Sequence, residues 1–108
     1  MEELLTVKNP ATGEVLATLK RNTKEEVEER LERGEKAFHK WKKINAHERS
    51  RLLSKWSQLV EENKQEIAEI MTKENGKPLK ESLAEVDYAK SYIDWYAEEA
   101  KRIYGRTI

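Results

Sequence analysis

His39 and His47 are the only imidazoles in the chain, and no cysteine accompanies them. Without cysteine there is no thiolate nucleophile, no thiolate metal site and no disulfide. Both histidines lie among charged residues beside helix ends, where residence on a solvated surface accounts for them. No His/Asp/Glu spacing matches a divalent metal site. No Gly-x-Gly-x-x-Gly or Walker-type phosphate loop occurs. The glycines at positions 13, 34, 76 and 105 read as turn, packing or cap residues. Lys77, in a Gly-Lys-Pro turn, could meet an anion, although a solvated lysine explains it as well. The carboxylates sit in mixed-charge helix faces, where solvation is the default. What remains is aromatic: Tyr88, Tyr92 and Trp95 recur at helical spacing, a stripe that reads first as core and second as the wall of a ligand channel. No catalytic or cofactor-binding residue is assigned.

The elements that position these residues follow from local chemistry. Leu4 to Lys8 and Glu14 to Lys20 flank Asn9-Pro10-Ala11-Thr12-Gly13, and Pro10 with Gly13 marks a β-hairpin turn. Val15, Ala17 and Leu19 alternate with Leu16, Thr18 and Lys20, which predicts a half-buried second strand. Thr23 and Glu26 form a capping box at the start of a first helix. Its stripe is Val27, Leu31, Gly34, Phe38 and Trp41, and Gly34 on that stripe predicts the close approach of another backbone. Asn45 and Glu48 open a second helix with an apolar face of Leu52, Leu53, Trp56, Leu59 and Val60. Asn63 and Glu66 form a third capping pair ahead of Ile67, Ile70 and Met71. Gly76 caps that helix and Pro78 prevents its continuation. A fourth helix is expected from about Leu79 to Tyr104, capped by Gly105. Leu83, Val86, Ile93, Ala97, Ala100 and Tyr104 share one of its faces, and the aromatic stripe makes a second. Apolar residues thus cover more of this helix than the roughly 100° stripe of an ordinary surface helix. Such a helix expects partners on two sides, and this chain can supply one.

The expected architecture is therefore mainly α, an N-terminal β-hairpin segment (1–22) followed by about four helices (23–108). A chain of 108 residues makes one small unit. Leu, Ile, Val and Phe total 22 of 108, so the core is thin. Lys plus Arg is 21 and Asp plus Glu is 21, with the signs mixed along the helices, which argues against nucleic acid as a partner. No apolar run approaches the roughly 18 residues of a membrane span. The first residues lack the basic start and apolar run of a signal peptide. The expectation is a cytoplasmic protein.

Taken in order, Asn9-Pro10-Ala11-Thr12-Gly13-Glu14, Ala37-Phe38 with Trp41, Glu48-Arg49 before a Leu-rich helix, and Glu74-x-Gly76-Lys77-Pro78 resemble the opening of an aldehyde dehydrogenase. The resemblance runs from about Val7 to Ile108. Gly76-Lys77-Pro78-Leu79-Lys80-Glu81, together with Trp95 to Arg102 and Tyr104-Gly105, is most similar to the succinate-semialdehyde branch. That family is several times longer than this chain. The resemblance implies a full-length parent that oxidises an aldehyde, succinate semialdehyde, to the acid with NAD or NADP. In that chemistry a cysteine thiolate attacks the aldehyde, hydride passes to the nicotinamide, and a glutamate-activated water releases the acid. None of these groups, nor the cofactor loop, maps onto this chain. The resemblance also implies Tyr88 as a substrate-tunnel residue, and the Val7 carbonyl with Glu74 as ligands of a monovalent cation.

Two expectations follow. The segment is an inactive part of a dehydrogenase whose remainder is its partner. Alternatively it is a free-standing helical module that self-associates through the Tyr88/Tyr92/Trp95 face, with the Gly76-Lys77-Pro78 break as a hinge for exchange of the last helix.

Overall fold

The first turn is built from its own side chains. The Asn9 Oδ1 atom accepts from the Ala11 N–H at 2.9 Å, and the Asn9 carbonyl accepts from the Gly13 N–H at 2.8 Å. Gly13 sits at φ 77°, the left-handed region that a Cβ disfavours. In the computed structural model, which describes residues 3–108, this turn joins β1 (Leu4–Lys8) to β2 (Val15–Lys20). Met1 and Glu2, the start of the expected hairpin segment, lie outside the described residues. The strands are antiparallel, with Val7 opposite Ala17 and Lys8 opposite Val15. Leu16 is thus the extra residue of a β-bulge, and the expected alternation of β2 breaks there. Leu16 is half-buried while Val15 and Leu19 are exposed.

Four helices follow: α1 (Lys24–Trp41), α2 (Ala46–Glu62), α3 (Lys64–Asn75) and α4 (Leu79–Glu99). The capping box forms, with the Glu26 N–H donating to Thr23 Oγ1 at 3.2 Å and the Thr23 N–H donating to Glu26 Oε2 at 2.9 Å. Asn45 caps α2 through the Glu48 N–H at 2.9 Å. The third expected cap does not form. Asn63 makes no side-chain bond to α3 and instead donates from Nδ2 to the Leu59 carbonyl at 2.8 Å. Its φ of −105° and ψ of 8° are not the extended backbone of the Thr23 and Asn45 caps, and its side chain closes one helix rather than opening the next. Gly76 caps α3 at φ 91°, as its position predicts.

The fourth helix ends earlier than expected, at Glu99 rather than Tyr104. The Lys101 and Arg102 N–H groups donate to the Glu98 and Glu99 carbonyls, tightening the chain into a closing turn. Tyr104 is exposed beyond it, and Gly105, at φ 71°, lies in irregular chain instead of acting as the cap.

The core is a seam of small residues along α4. Ser82, Val86 and Ala97 of α4 are buried, as are Ser50 and Ser57 of α2 and Ala68 of α3. The anticipated α2 face is split. Leu53 and Val60 are half-buried on the seam side, while Trp56 is 55% exposed and Leu59 is exposed with it. Ala68, rather than Ile67 or Ile70, is the buried residue of α3. The α1 stripe is uncovered: this helix has no buried residue, and Leu31 is 68% exposed. A Cβ built on Gly34 meets nothing within 4 Å, so the expected backbone neighbour is not there.

Polar side chains lock the seam. Ser57 Oγ donates to Asp94 Oδ1, Lys90 Nζ lies 3.0 Å from Asp94 Oδ2, and the Thr72 and Ser82 hydroxyls are 2.7 Å apart. Lys64 and Asp87 make a further bridge at 2.6 Å. No buried side-chain N or O lacks a partner among the described residues.

The molecule is open for its size. A compact monomer of 12.7 kDa exposes about 6,200 Å², whereas this chain exposes 9191 Å². Its radius of gyration is 18.6 Å, against about 13 Å for a compact domain of this length. Large apolar side chains stand exposed on the hairpin and on all four helices, among them Leu4, Leu31, Trp56, Ile70 and Trp95.

The Ser57–Asp94 bond has a measurable consequence. The Ser57 hydroxyl first, and Lys90 second, hold the Asp94 carboxyl below its usual 3.8. A depressed carboxyl stabilises the fold above its unfolded pKa, and that contribution is lost as pH falls through the folded value. Ser57→Ala is expected to cost about 1 kcal/mol at neutral pH. The cost narrows in acid below the Asp94 transition, and the Asp94 carboxyl moves up toward its ordinary value. Urea unfolding at two pH values and carboxyl NMR titration check both parts.

Candidate functional site

The aromatic residues of α4 recur at steps of three and four, which places them along one side of the helix. The Tyr88 and Tyr92 hydroxyls are 2.9 Å apart, and their rings meet edge to face at 5.1 Å and 86°. Ser91 Oγ donates to the Tyr88 carbonyl at 2.6 Å, tying the polar side chain of this stretch to the backbone. Trp95 and Tyr96 complete the walls of an open hollow of about 380 Å³ with Tyr88, Ser91 and Tyr92. Tyr96 was missed by the sequence reading, although its place four residues after Tyr92 and eight after Tyr88 carries the signal.

These rings are not core in this chain. Tyr88 is 64% and Trp95 65% exposed, with Tyr92 and Tyr96 also open. The hydrogen bond from Tyr88 is the main influence raising the Tyr92 hydroxyl above its ordinary 10.0, followed by desolvation and the proximity of Tyr96. Tyr92 therefore stays protonated at neutral pH. The hollow offers ring faces and hydroxyls, with no thiol, imidazole or carboxylate in its wall.

The other candidate residues fall elsewhere. Val7 and Glu74 line one hollow of about 360 Å³ between the hairpin and α3, together with Leu16, Ala17, Leu19, Ile70 and Lys73. The structure brings the two together, but most of that wall is apolar and Lys73 stands beside the carboxylate. Among the described residues no group of three His, Cys, Asp or Glu side chains could hold a metal. Two oxygen donors from this chain fall short of the shell a hard cation requires. His39 and His47 are exposed, as expected, with His39 Nε2 3.9 Å from Glu35. Lys77 differs from expectation. It is half-buried and bonded to Glu85, so neither a bound anion nor a free solvated amine describes it. Among the described residues no helix is long and apolar enough to cross a membrane.

Comparison with known proteins gives one consistent answer. The model of the aldehyde dehydrogenase family matches residues 1–108. A glutarate-semialdehyde dehydrogenase of Pseudomonas putida is 46% identical over 106 residues, covering 98% of this chain and 22% of the relative. A mitochondrial succinate-semialdehyde dehydrogenase of Oryza sativa subsp. japonica is 47% identical over 102 residues, covering 94% of this chain and 19% of the relative. The crystal structure of an aldehyde dehydrogenase from Brucella melitensis biovar abortus 2308 superposes with a TM-score of 0.94 at 44% identity, over 98% of this chain and 22% of that one. The chain thus spans about a fifth of the length of the relatives it matches.

Tyr88→Phe removes the hydroxyl that raises Tyr92. Ultraviolet titration is expected to show the Tyr92 transition falling back toward 10.0, with helix content by circular dichroism unchanged because both rings lie on an exposed face.

Proposed function

Because the chain belongs to the aldehyde dehydrogenase family, we propose that it serves as the opening segment of a dehydrogenase that oxidises a short carboxylate-bearing aldehyde with NAD or NADP. The supporting relatives are named for glutarate semialdehyde and succinate semialdehyde. Those two compounds differ by one methylene, and succinate semialdehyde is the substrate we assign. In such a reaction the aldehyde and water become a carboxylic acid, and the nicotinamide accepts the hydride that leaves the aldehyde carbon. No cysteine is available here to form the covalent intermediate, and no residue of this chain is assigned to the cofactor. The setting we assign is cytoplasmic.

The family match along the chain is the observation that carries this reading, and the surface supports it. A helix with Tyr88, Tyr92, Trp95 and Tyr96 open to solvent carries an exposed aromatic face, the kind of surface that marks an interaction site. The remainder of the longer enzyme is the partner we assign to that face. Tyr88, on the same face, is the residue we assign to the substrate tunnel. Val7 and Glu74 are assigned to a monovalent cation whose remaining ligands come from elsewhere in the enzyme.

The exposed aromatic face also favours a second reading for the isolated chain, self-association through Tyr88, Tyr92 and Trp95. Two measurements test these statements. The pure 108-residue chain is expected to produce no reduced nicotinamide from succinate semialdehyde with either cofactor, whereas turnover above background would overturn the inert-segment reading. Sedimentation is expected to show mass rising with concentration, and a monomer at every concentration would remove self-association.

A further inference from the structure

We infer that the Asn9–Glu14 turn and the Gly76-Lys77-Pro78 corner form one mechanical unit, in which Pro10 is a wedge against Gly76 that fixes the direction in which α4 leaves α3. The contact is specific to this glycine. A Cβ built on Gly76 would stand 3.0 Å from Pro10 Cγ, whereas Cβ atoms built on Gly13 and Gly105, also at positive φ, meet nothing within 4 Å. Gly76 is thus required twice, once for its φ of 91° and once for the space that Pro10 occupies.

The wedge cannot easily retreat. Its ring is rigid, and three hydrogen bonds from Asn9, through Oδ1, the carbonyl and the N–H, hold the turn on either side of it. The corner has little other freedom. Pro78 is fixed at φ −59°, Lys77 is bonded to Glu85 in the second turn of α4, and the Gly76 N–H donates to the Thr72 carbonyl at 2.9 Å. Gly76 supplies the flexible dihedrals of the corner, and the hairpin turn restrains them. The hairpin therefore acts as a strap across the α3–α4 corner and sets how the aromatic face of α4 is presented. The inference rests on this geometry and stands whether or not the proposed enzymatic role does.

A mutant cycle on the full chain separates the two demands on Gly76. Asparagine tolerates the left-handed region, so Gly76→Asn isolates the collision with Pro10, and Gly13→Asn is the control with open space. Gly76→Asn is expected to lower the folding equilibrium constant about tenfold more than Gly13→Asn, and Pro10→Ala in the Gly76→Asn background to recover most of that difference, as coupled neighbours do. Equal costs at the two glycines, or strict additivity of Pro10→Ala with Gly76→Asn, would overturn the wedge. Should Gly76→Asn not fold, amide hydrogen exchange of Pro10→Ala alone decides. The Gly76 N–H is expected to exchange faster while amides in the middle of α4 keep their protection, and an unchanged Gly76 rate overturns the proposal.

Discussion

Helix α4 meets α2 and α3 through small, fully buried residues, with the larger Leu83 and Ile93 only half-buried beside them. Ser82, Val86 and Ala97 leave room for α2 and α3 to settle against it, and Ser50, Ser57 and Ala68 meet them from the other side. Close approach of this kind gains many weak dispersion contacts but little apolar area. The seam is therefore completed by hydrogen bonds whose net worth is modest and whose loss is costly. Ser57 to Asp94 joins α2 to α4, and Thr72 to Ser82 joins α3 to α4. Other features lean on that three-helix contact. The corner at Gly76 joins two helices of that contact, and the Pro10 ring stands against it from the hairpin side.

Much of the fold was legible in the sequence because it is written in local chemistry. Thr23 with Glu26, Asn45 with Glu48, and Gly76 before Pro78 each act within a few residues, and each forms as its residue types dictate. Asn63 shows the limit of such signals. Its spacing to Glu66 matched a cap, but only one residue separates α2 from α3, its backbone is not extended as a cap requires, and its side chain bonds the Leu59 carbonyl. The end of α4 shows a second limit. Tyr104 continues the apolar stripe in sequence, but Ala100 is the last half-buried residue of that stripe, Tyr104 is exposed, and the chain closes into a turn after Glu99.

Packing partners were less legible, because periodicity reports which face is apolar and not what covers it. On α1 the stripe of Val27, Leu31, Phe38 and Trp41 is real, but nothing among the described residues buries it. On α2 the apolar residues straddle two directions. The sequence pattern grouped Trp56 with Leu53, whereas Leu53 is half-buried and Trp56 is exposed. The candidate site divides in the same way. The spacing of Tyr88, Tyr92 and Trp95 placed them together, and Tyr96 obeys the same period, but their exposure depends on neighbours that periodicity cannot name.

That division carries the strongest physical argument about how this segment is used. Burying an indole or a leucine gains roughly 1.5–3 kcal/mol or more, far more than a serine returns in the same place. A chain selected to fold against itself alone would turn Trp56 and Leu59 inward and leave Ser57 outside. This one does the reverse, and it repeats the choice on α4, where Ser82 is buried and Trp95 is open. The small, hydrogen-bonded seam fixes the helices relative to one another, while the large apolar side chains are kept for a second surface. Such an arrangement is stable in water when that surface is met by another one, and this chain spans only about a fifth of the length of the relatives it matches.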